Sequence, residues 1–182
     1  YLIFFISAVL ICIPLSFYYS FANVFLNDIG MEGAAGKMIY GQISEAIFIL
    51  TIPLLYYRLG VKNILIIGIA AWILRFVFFA DGDLETSYWM IISGIILHGV
   101  CYDFFFVTGF MYTENKANQK IKNAAQGLFT VATYGIGMTI GSWFSGLVTE
   151  HYTLEGIKNW SGIWEIPAYI SAAVLLFLIV FF

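Results

Sequence analysis

The stretch YWMIISGIILHGVCYDFFFVTGFMY, residues 88–112, decides the fold of this chain. It contains no lysine, arginine or glutamate, and Asp103 is its one acidic residue. A helix that crosses the hydrocarbon core of a bilayer needs about 20 predominantly apolar residues. The stretch is therefore long and apolar enough to cross a membrane as a helix.

The composition of the whole chain leads to the same class of protein. Of its 182 residues, 62% are hydrophobic and 10% are charged. Ordinary soluble domains are about 45–50% apolar and about 25% charged. A soluble fold of this length has too little interior to bury so much apolar surface. We therefore predict an integral membrane protein.

Charge, cysteine content and the apolar pattern argue against three other classes. With eight basic residues and a net charge of −3, no basic cluster is available to neutralise phosphates, so no nucleic-acid partner is expected. Cys12 and Cys101 lie within apolar stretches, where a free thiol behaves as a small hydrophobe, so a disulfide-stabilised scaffold is not expected. Solidly apolar runs such as 64–71 and 172–182 disfavour a membrane β-barrel, whose strands alternate polar and apolar residues.

Polar residues divide the chain into apolar stretches joined by short loops. This division predicts an all-α integral membrane fold with six transmembrane helices. The predicted spans are residues 1–26, 35–56, 64–80, 88–112, 124–148 and 163–182.

The lysines and arginines predict which loops face the cytoplasm. Loop 57–63 carries Arg58 and Lys62, loop 113–123 carries three lysines, and the other loops are mainly acidic. By the positive-inside rule, the basic loops and both ends of this chain are cytoplasmic, in the cell (inner) membrane. The chain starts without methionine and has no polar tail after Phe182, so we expect the natural protein to extend beyond at least one end.

Polar groups inside the predicted spans are costly in hydrocarbon, and they mark the candidate functional residues. Gln42 and Glu45, three positions apart, share one face of the second span. On the fourth span, His98 and Tyr102 are one turn apart and Asp103 follows directly. The first span carries a polar stripe at helical spacing, formed by Ser16, Tyr19, Ser20 and Asn23.

The depth of these groups points to a transport site. With a rise of 1.5 Å per residue, Glu45 falls near the middle of the second span, and residues 98–103 straddle the middle of the fourth. Two carboxyl groups and an imidazole are thus predicted near the bilayer midplane. Transporters place substrate and coupling-ion sites at this level.

Each of these residues also has a structural interpretation. A carboxyl group can pair with a neighbouring helix, and His98 can be satisfied by one interhelical hydrogen bond. Arg75, six residues before Asp81, is expected to extend towards the outer surface or to pair with an acid there. In the fifth span, small residues indicate close helix packing, and Gly137 and Gly141 have the four-residue spacing typical of it. These small residues are Gly135, Gly137, Gly141, Ser142, Ser145 and Gly146.

Other functions have weaker support in the sequence. An intramembrane serine protease would need Ser142 with His98 or His151, but Ser142 lies on a glycine-rich packing helix. His98 and Cys101 are too few for a catalytic metal site, and no channel-filter sequence is present. We expect no enzyme activity, no metal and no cofactor. The alternative to a transporter is a six-helix channel or scaffold complete in itself.

Several fragments form a recognisable combination. They are GQISEAIFILTIP (41–53), RLGVKN (58–63), AWILRF (71–76), HGVCYDFF (98–105), AQGLF (125–129) and GSWFSG (141–146). Together they resemble the nucleoside:proton symporters of the major facilitator superfamily over nearly the whole chain.

The resemblance implies a twelve-helix protein made of two six-helix bundles. This chain resembles the second bundle, so residues 1–182 would be the C-terminal bundle, helices seven to twelve, and the N-terminal bundle would be absent. Each bundle would contain two three-helix repeats of inverted topology. The loop from Arg58 to Lys62 resembles the basic loop that follows the second helix of each half, without the acidic residue that usually precedes the arginine.

The resemblance also implies roles for the site residues. Asn23, Gln42 and Glu45 would hydrogen-bond the nucleoside through its ribose. Tyr102 would pack on the substrate, and Asp103 would take part in binding or proton coupling.

Two positions depart from the family pattern. Ser20 stands where an amide is usual, and His98 stands where an aromatic residue is usual. His98 joins the candidate substrate-binding residues, and Glu45, Asp103 or both are the candidate proton carriers. The predicted function is nucleoside import by proton symport with alternating access, and the expected partners are the nucleoside, the proton, the lipid bilayer and the missing N-terminal bundle.

Overall fold

The computed structural model describes all 182 residues, and most of them are helical. Residues Thr153–Leu154 and Ile157–Lys158 form a short antiparallel hairpin. Two segments are π-helical, Asp103–Val107 and Val131–Gly137, and each joins two α-helices. The elements are α1 (Leu2–Asp28), α2 (Ala34–Lys37), α3 (Ile39–Ile49), α4 (Ile52–Asp81), α5 (Tyr88–Tyr102), α6 (Thr108–Lys116), α7 (Lys122–Thr130), α8 (Met138–His151), β1 (Thr153–Leu154), β2 (Ile157–Lys158) and α9 (Trp160–Phe181).

All six predicted spans fall on helices. Four helical stretches are long and apolar enough to cross a membrane: Leu2–Asp28, Ile52–Asp81, Tyr88–Lys116 and Trp160–Phe181. The predicted second span is divided between α3 and the start of α4. The predicted fifth span corresponds to α7, α8 and the π-helical segment between them, and it is rich in glycine and hydroxyl side chains.

The second and third spans have different boundaries from those predicted. Pro53, in the first turn of α4, has no N–H to donate, and the helix is interrupted just before it, at 50–51. Gly60 adopts φ 73° and ψ 163°, a conformation that residues with a side chain rarely take, and it bends α4 within the predicted basic loop. The connection between the two spans is therefore shorter than the predicted loop 57–63, because the chain is helical on both sides of Gly60.

The contacts between spans repeat along the chain. α1 packs against α8 and α9, and α5 packs in the same way against α3 and α4. α4 and α9 pack against each other. Exchanging the first three spans for the last three therefore preserves the contacts, as expected for two three-helix repeats. Because each repeat has an odd number of spans, the second repeat has the opposite orientation.

Aromatic side chains fill the centre of the bundle between α1, α4 and α9. The Trp164 ring stacks on Phe76 at 5.8 Å and meets Phe25 edge-on at 5.5 Å, with all three residues buried. Offset and edge-to-face pairs are the favourable arrangements of aromatic rings. This cluster fixes α1, α4 and α9 relative to one another.

The predicted glycine packing in the fifth span is confirmed at two positions. A Cβ atom at Gly141 would lie 2.9 Å from the Cys12 carbonyl oxygen, and one at Gly137 would lie 2.8 Å from the Cys12 Cβ atom. A Cβ atom at Gly146 would meet nothing within 4 Å, and one at Gly135 would meet only the Val131 side chain of the same segment, so these two glycines pack against no neighbouring helix. Small residues therefore allow α8 and the segment before it to approach α1 closely.

Candidate functional site

A close contact between α3 and α5 positions the acidic residue of α3. The Ser44 hydroxyl donates to the Ile96 carbonyl oxygen and accepts a hydrogen bond from the Gly99 N–H at 3.0 Å. Gly99 has no room for a side chain, since a Cβ atom there would collide with the backbone of α3. This contact places Glu45, the residue after Ser44, against the His98 ring.

Each ring nitrogen of His98 faces a charged side chain. Its Nδ1 lies 3.0 Å from Nη1 of Arg75, and its Nε2 lies 3.7 Å from Oε2 of Glu45. The ring stacks on Tyr18 at a centroid distance of 5.0 Å and is 2% exposed. The imidazole therefore joins α3 and α4 inside the bundle and offers little surface to a substrate.

The expectation for Arg75 is wrong. Its side chain is fully buried, and it does not extend to the outer surface. The guanidinium carbon lies 3.3 Å from the centre of the Tyr18 ring, where a cation–π interaction offsets part of the desolvation cost. A charge well inside a predicted span is itself a signal of function, and that signal could have identified Arg75.

Asp103 is a buried carboxyl group without a partner. The residue is fully buried, and neither carboxylate oxygen has a hydrogen-bond partner. It begins the π-helical segment Asp103–Val107, a rare geometry that is frequent at functional sites. A carboxylate held away from water without a hydrogen bond is costly while charged, and a bound proton removes that charge.

Tyr102 contacts a residue that the sequence did not indicate. Its hydroxyl lies 2.6 Å from the hydroxyl of Tyr134, which belongs to the other π-helical segment. The Tyr102 ring also lies 5.8 Å from the His98 ring. Tyr134 therefore joins the fifth span to the site. Nothing in its sequence surroundings marks this role, because π-helical geometry has no clear residue pattern.

Gln42 and Glu45 face the same open space, as their spacing predicts. With Ala46 and Ile49 they line a hollow of about 280 Å³ on α3. Gln42 is exposed and the Glu45 side chain is 34% exposed. An amide and a carboxylate are thus presented side by side on an accessible wall.

The predicted polar stripe on α1 divides into two parts. Asn23 is exposed; its amide donates to the Met38 sulfur at 3.5 Å, and its side-chain oxygen accepts from Asn27. Tyr19 is 53% exposed and meets the His98 ring edge-on at 6.3 Å. Ser16, in contrast, is buried towards α8. Tyr19 therefore belongs to the wall, and Ser16 does not.

The amino-acid sequence matches the family described as Nucleoside H+ symporter over residues 1–182. The putative nucleoside transporter YegT of Escherichia coli (strain K12) is 37% identical over 190 residues, which cover 100% of this chain and 45% of YegT. Nucleoside permease NupG of the same strain is 38% identical, with 91% of this chain and 42% of NupG covered. The xanthosine permease of the same strain is 34% identical, and the match covers 99% of this chain and 45% of that permease.

Solved structures give the same relationship. A crystal structure of nucleoside transporter NupG superposes with a TM-score of 0.89 at 35% identity, covering 98% of this chain and 47% of NupG. A crystal structure of an aspartate-to-alanine mutant of NupG superposes with a TM-score of 0.93, and the match covers 99% of this chain and 48% of the mutant chain. The chain spans about half the length of the relatives that it matches, and the expected all-α membrane fold is confirmed.

Proposed function

This chain belongs to the nucleoside H+ symporter family, and from that membership we propose that the whole protein imports nucleosides together with protons. The observation that carries the proposal is the combination of an unpaired buried carboxyl group, Asp103, with an accessible polar wall that contains Gln42 and Glu45. A coupled transporter needs both a group that can take up a proton and a surface that recognises the substrate.

Residues 1–182 form the C-terminal six-helix bundle, helices seven to twelve, in this proposal. An N-terminal bundle supplies the opposite wall of the substrate cavity. The exposed positions of Asn23, Gln42 and Glu45 support this arrangement, because polar side chains on a membrane bundle normally face a cavity or another bundle rather than lipid.

The wall residues bind the ribose of the nucleoside. The vicinal hydroxyls of a ribose can donate to the Glu45 carboxylate and exchange hydrogen bonds with the amides of Gln42 and Asn23. Tyr102, half-buried beside His98, packs on the substrate. His98 contributes mainly by contacting Glu45, since both of its nitrogens are directed at protein groups.

Asp103 carries the coupled proton. Glu45 is partly exposed and lies 3.7 Å from Nε2 of His98, whereas the carboxylate of Asp103 is fully buried and has no hydrogen-bond partner. Asp103 takes up a proton when the site faces outwards and releases it when the site faces inwards. Rocking of the two bundles about the site exchanges the two states.

The protein lies in the cell (inner) membrane with both ends of this chain on the cytoplasmic side. Asn115, in one basic loop, donates to the hydroxyl of Tyr56, the residue directly before the other, so both basic loops lie at the same end of the bundle. Lys62 donates to the carbonyl oxygen of Ile179, which places the end of α9 there as well. The positive-inside rule assigns that end to the cytoplasm.

Uptake of a radiolabelled ribonucleoside into proteoliposomes tests this function. The natural protein at its full length should accumulate the nucleoside when the outside is acidic and lose accumulation when a protonophore is added. Glu45→Gln should raise the KM about tenfold or more, because it removes a hydrogen bond to a charged group.

Glu165→Gln is the matched control, since Glu165 is an exposed acid on α9. Its KM should stay at the natural value. Uptake that ignores the pH gradient would contradict symport, and an unchanged KM in Glu45→Gln would contradict the ribose contact.

A further inference from the structure

Arg75 is a buried cation that the transport mechanism above does not use. No carboxylate lies within salt-bridge distance of it, and its Nε and Nη2 atoms have no hydrogen-bond partner. Its hydrogen bond to a nitrogen or oxygen atom is from Nη1 to Nδ1 of His98, at 3.0 Å, and the Cys101 thiol also lies beside the guanidinium group. A buried charge is costly unless another group compensates it. The contact with His98 is therefore the feature to explain.

The contact determines which nitrogen of His98 carries the proton. A guanidinium group has only N–H donors and stays protonated in proteins. Nδ1 of His98 must therefore accept the hydrogen bond from Arg75, and the hydrogen of the neutral ring must be on Nε2. A second proton on the ring would place two donors against each other, so Arg75 also opposes a charged imidazole.

The Nε2–H group points towards Glu45. The distance from Nε2 to Oε2 of Glu45 is 3.7 Å, which is longer than a hydrogen bond. Ser44 fixes the backbone beside Glu45, whereas the partly exposed Glu45 side chain can rotate. A rotation that shortened this distance to that of a hydrogen bond would still leave the second carboxylate oxygen free to face the hollow that Glu45 lines.

We propose that Arg75 is a positioning residue for nucleoside binding, which acts through His98 to orient the Glu45 carboxylate towards the ribose. The contacts Arg75–His98–Glu45 join α4, α5 and α3. Arg75 is at one end of this series, and the negative charge of Glu45 at the other end compensates it. This inference rests on the proposed function, because it requires Glu45 to contact the substrate.

The experiment compares two substrates in proteoliposomes of the natural protein at its full length. One substrate is a ribonucleoside, and the other is its 2′,3′-dideoxy analogue, which lacks the hydroxyls that Glu45 would contact. Arg75→Met removes the donor and the charge at similar length. It should raise the KM for the ribonucleoside about tenfold and leave the KM for the dideoxy analogue unchanged. Arg75→Lys, which keeps a charge and a donor, should cause a smaller increase.

A double-mutant cycle tests whether Arg75 acts through His98. In a His98→Leu background, Arg75→Met should cause no further change in the ribonucleoside KM, because the connecting contact is already absent. Where Arg75→Met prevents folding, His98→Leu alone carries the test, since it breaks the contact and keeps Arg75 against Tyr18. The control is Lys116→Met, which removes an exposed cation that lies near the Tyr112 ring, away from His98.

Two patterns of results separate failure of the inference from failure of the proposed function. If Glu45→Gln does not change the ratio of the two KM values, the ribose contact of Glu45 is wrong. If Glu45→Gln changes that ratio but Arg75→Met and His98→Leu do not, only the positioning role is wrong. Equal losses for both substrates, or additive effects in the cycle, would also overturn the positioning role, because a purely structural residue gives that pattern.

Discussion

At the scale of single residues, the site is defined by how each charge is compensated. Arg75 lies on the Tyr18 ring and donates to His98, while Asp103 has no hydrogen-bond partner. Burial without a partner costs a charged group several kcal/mol. A carboxylate can avoid this cost by taking up a proton, but an arginine cannot. This difference supports the proposed roles, proton carriage for Asp103 and a fixed charge for Arg75.

Asp83, in the turn before α5, shows the opposite case of a fully satisfied carboxylate. It accepts hydrogen bonds from the hydroxyls of Ser87 and Thr86, at 2.6 Å each, and from the N–H groups of Glu85 and Thr86. These bonds, that from Ser87 first, hold the pKa of Asp83 well below its usual range. Its stabilising effect is therefore complete above about pH 4, the usual value for an aspartate, and declines as the pH falls further.

The prediction for Asp83 is a pH-dependent difference in thermal unfolding. Asp83→Asn should lower the unfolding midpoint of the purified protein by a constant amount between pH 8 and pH 5, and this difference should shrink below about pH 4. Asp81→Asn is the control, because the side chain of Asp81 makes no hydrogen bond in the structure. A difference that stays constant down to pH 3 would contradict the assignment.

At the scale of elements, hydrophobic patterning predicted where helices lie but not where their geometry changes. Span length and polar punctuation depend on composition, which the sequence displays directly. The π-helical segments at Asp103–Val107 and Val131–Gly137 depend on how neighbouring helices pack, so no local pattern indicated them. The bend at Gly60 needed the observed backbone angles, although a glycine within a basic loop was visible in the sequence.

The packing of α8 on α1 gives a prediction with an internal control. Gly141→Ala should destabilise the bundle by about 1–3 kcal/mol, because the added Cβ atom would overlap the backbone of Cys12 and Ile13. Gly146→Ala, on the same helix with open space around it, should be neutral or slightly stabilising through the higher helix propensity of alanine. Thermal unfolding of both variants measures the difference, and equal midpoints would contradict the packing described.

At the scale of the whole molecule, the sequence predicted the membrane class, the six spans and a polar site shared by three helices. It did not predict that Arg75 is buried against Tyr18 and His98. Its aromatic partner Tyr18 lies far away along the chain, so only the packing of α1 against the rest of the bundle brings them together. The same reason applies to Tyr134 of the fifth span, whose hydroxyl contacts that of Tyr102 in the fourth span. In the proposed function, the opposite wall of the cavity comes from the N-terminal bundle.

The measurement that tests the central claim most directly is a comparison of two transport modes in Asp103→Asn. The natural protein at its full length should both concentrate a nucleoside along a pH gradient and exchange labelled for unlabelled nucleoside at equal pH. Asp103→Asn should keep the exchange and lose the gradient-driven accumulation, because the variant binds substrate but cannot carry the proton. Accumulation at the natural level in Asp103→Asn would contradict the account.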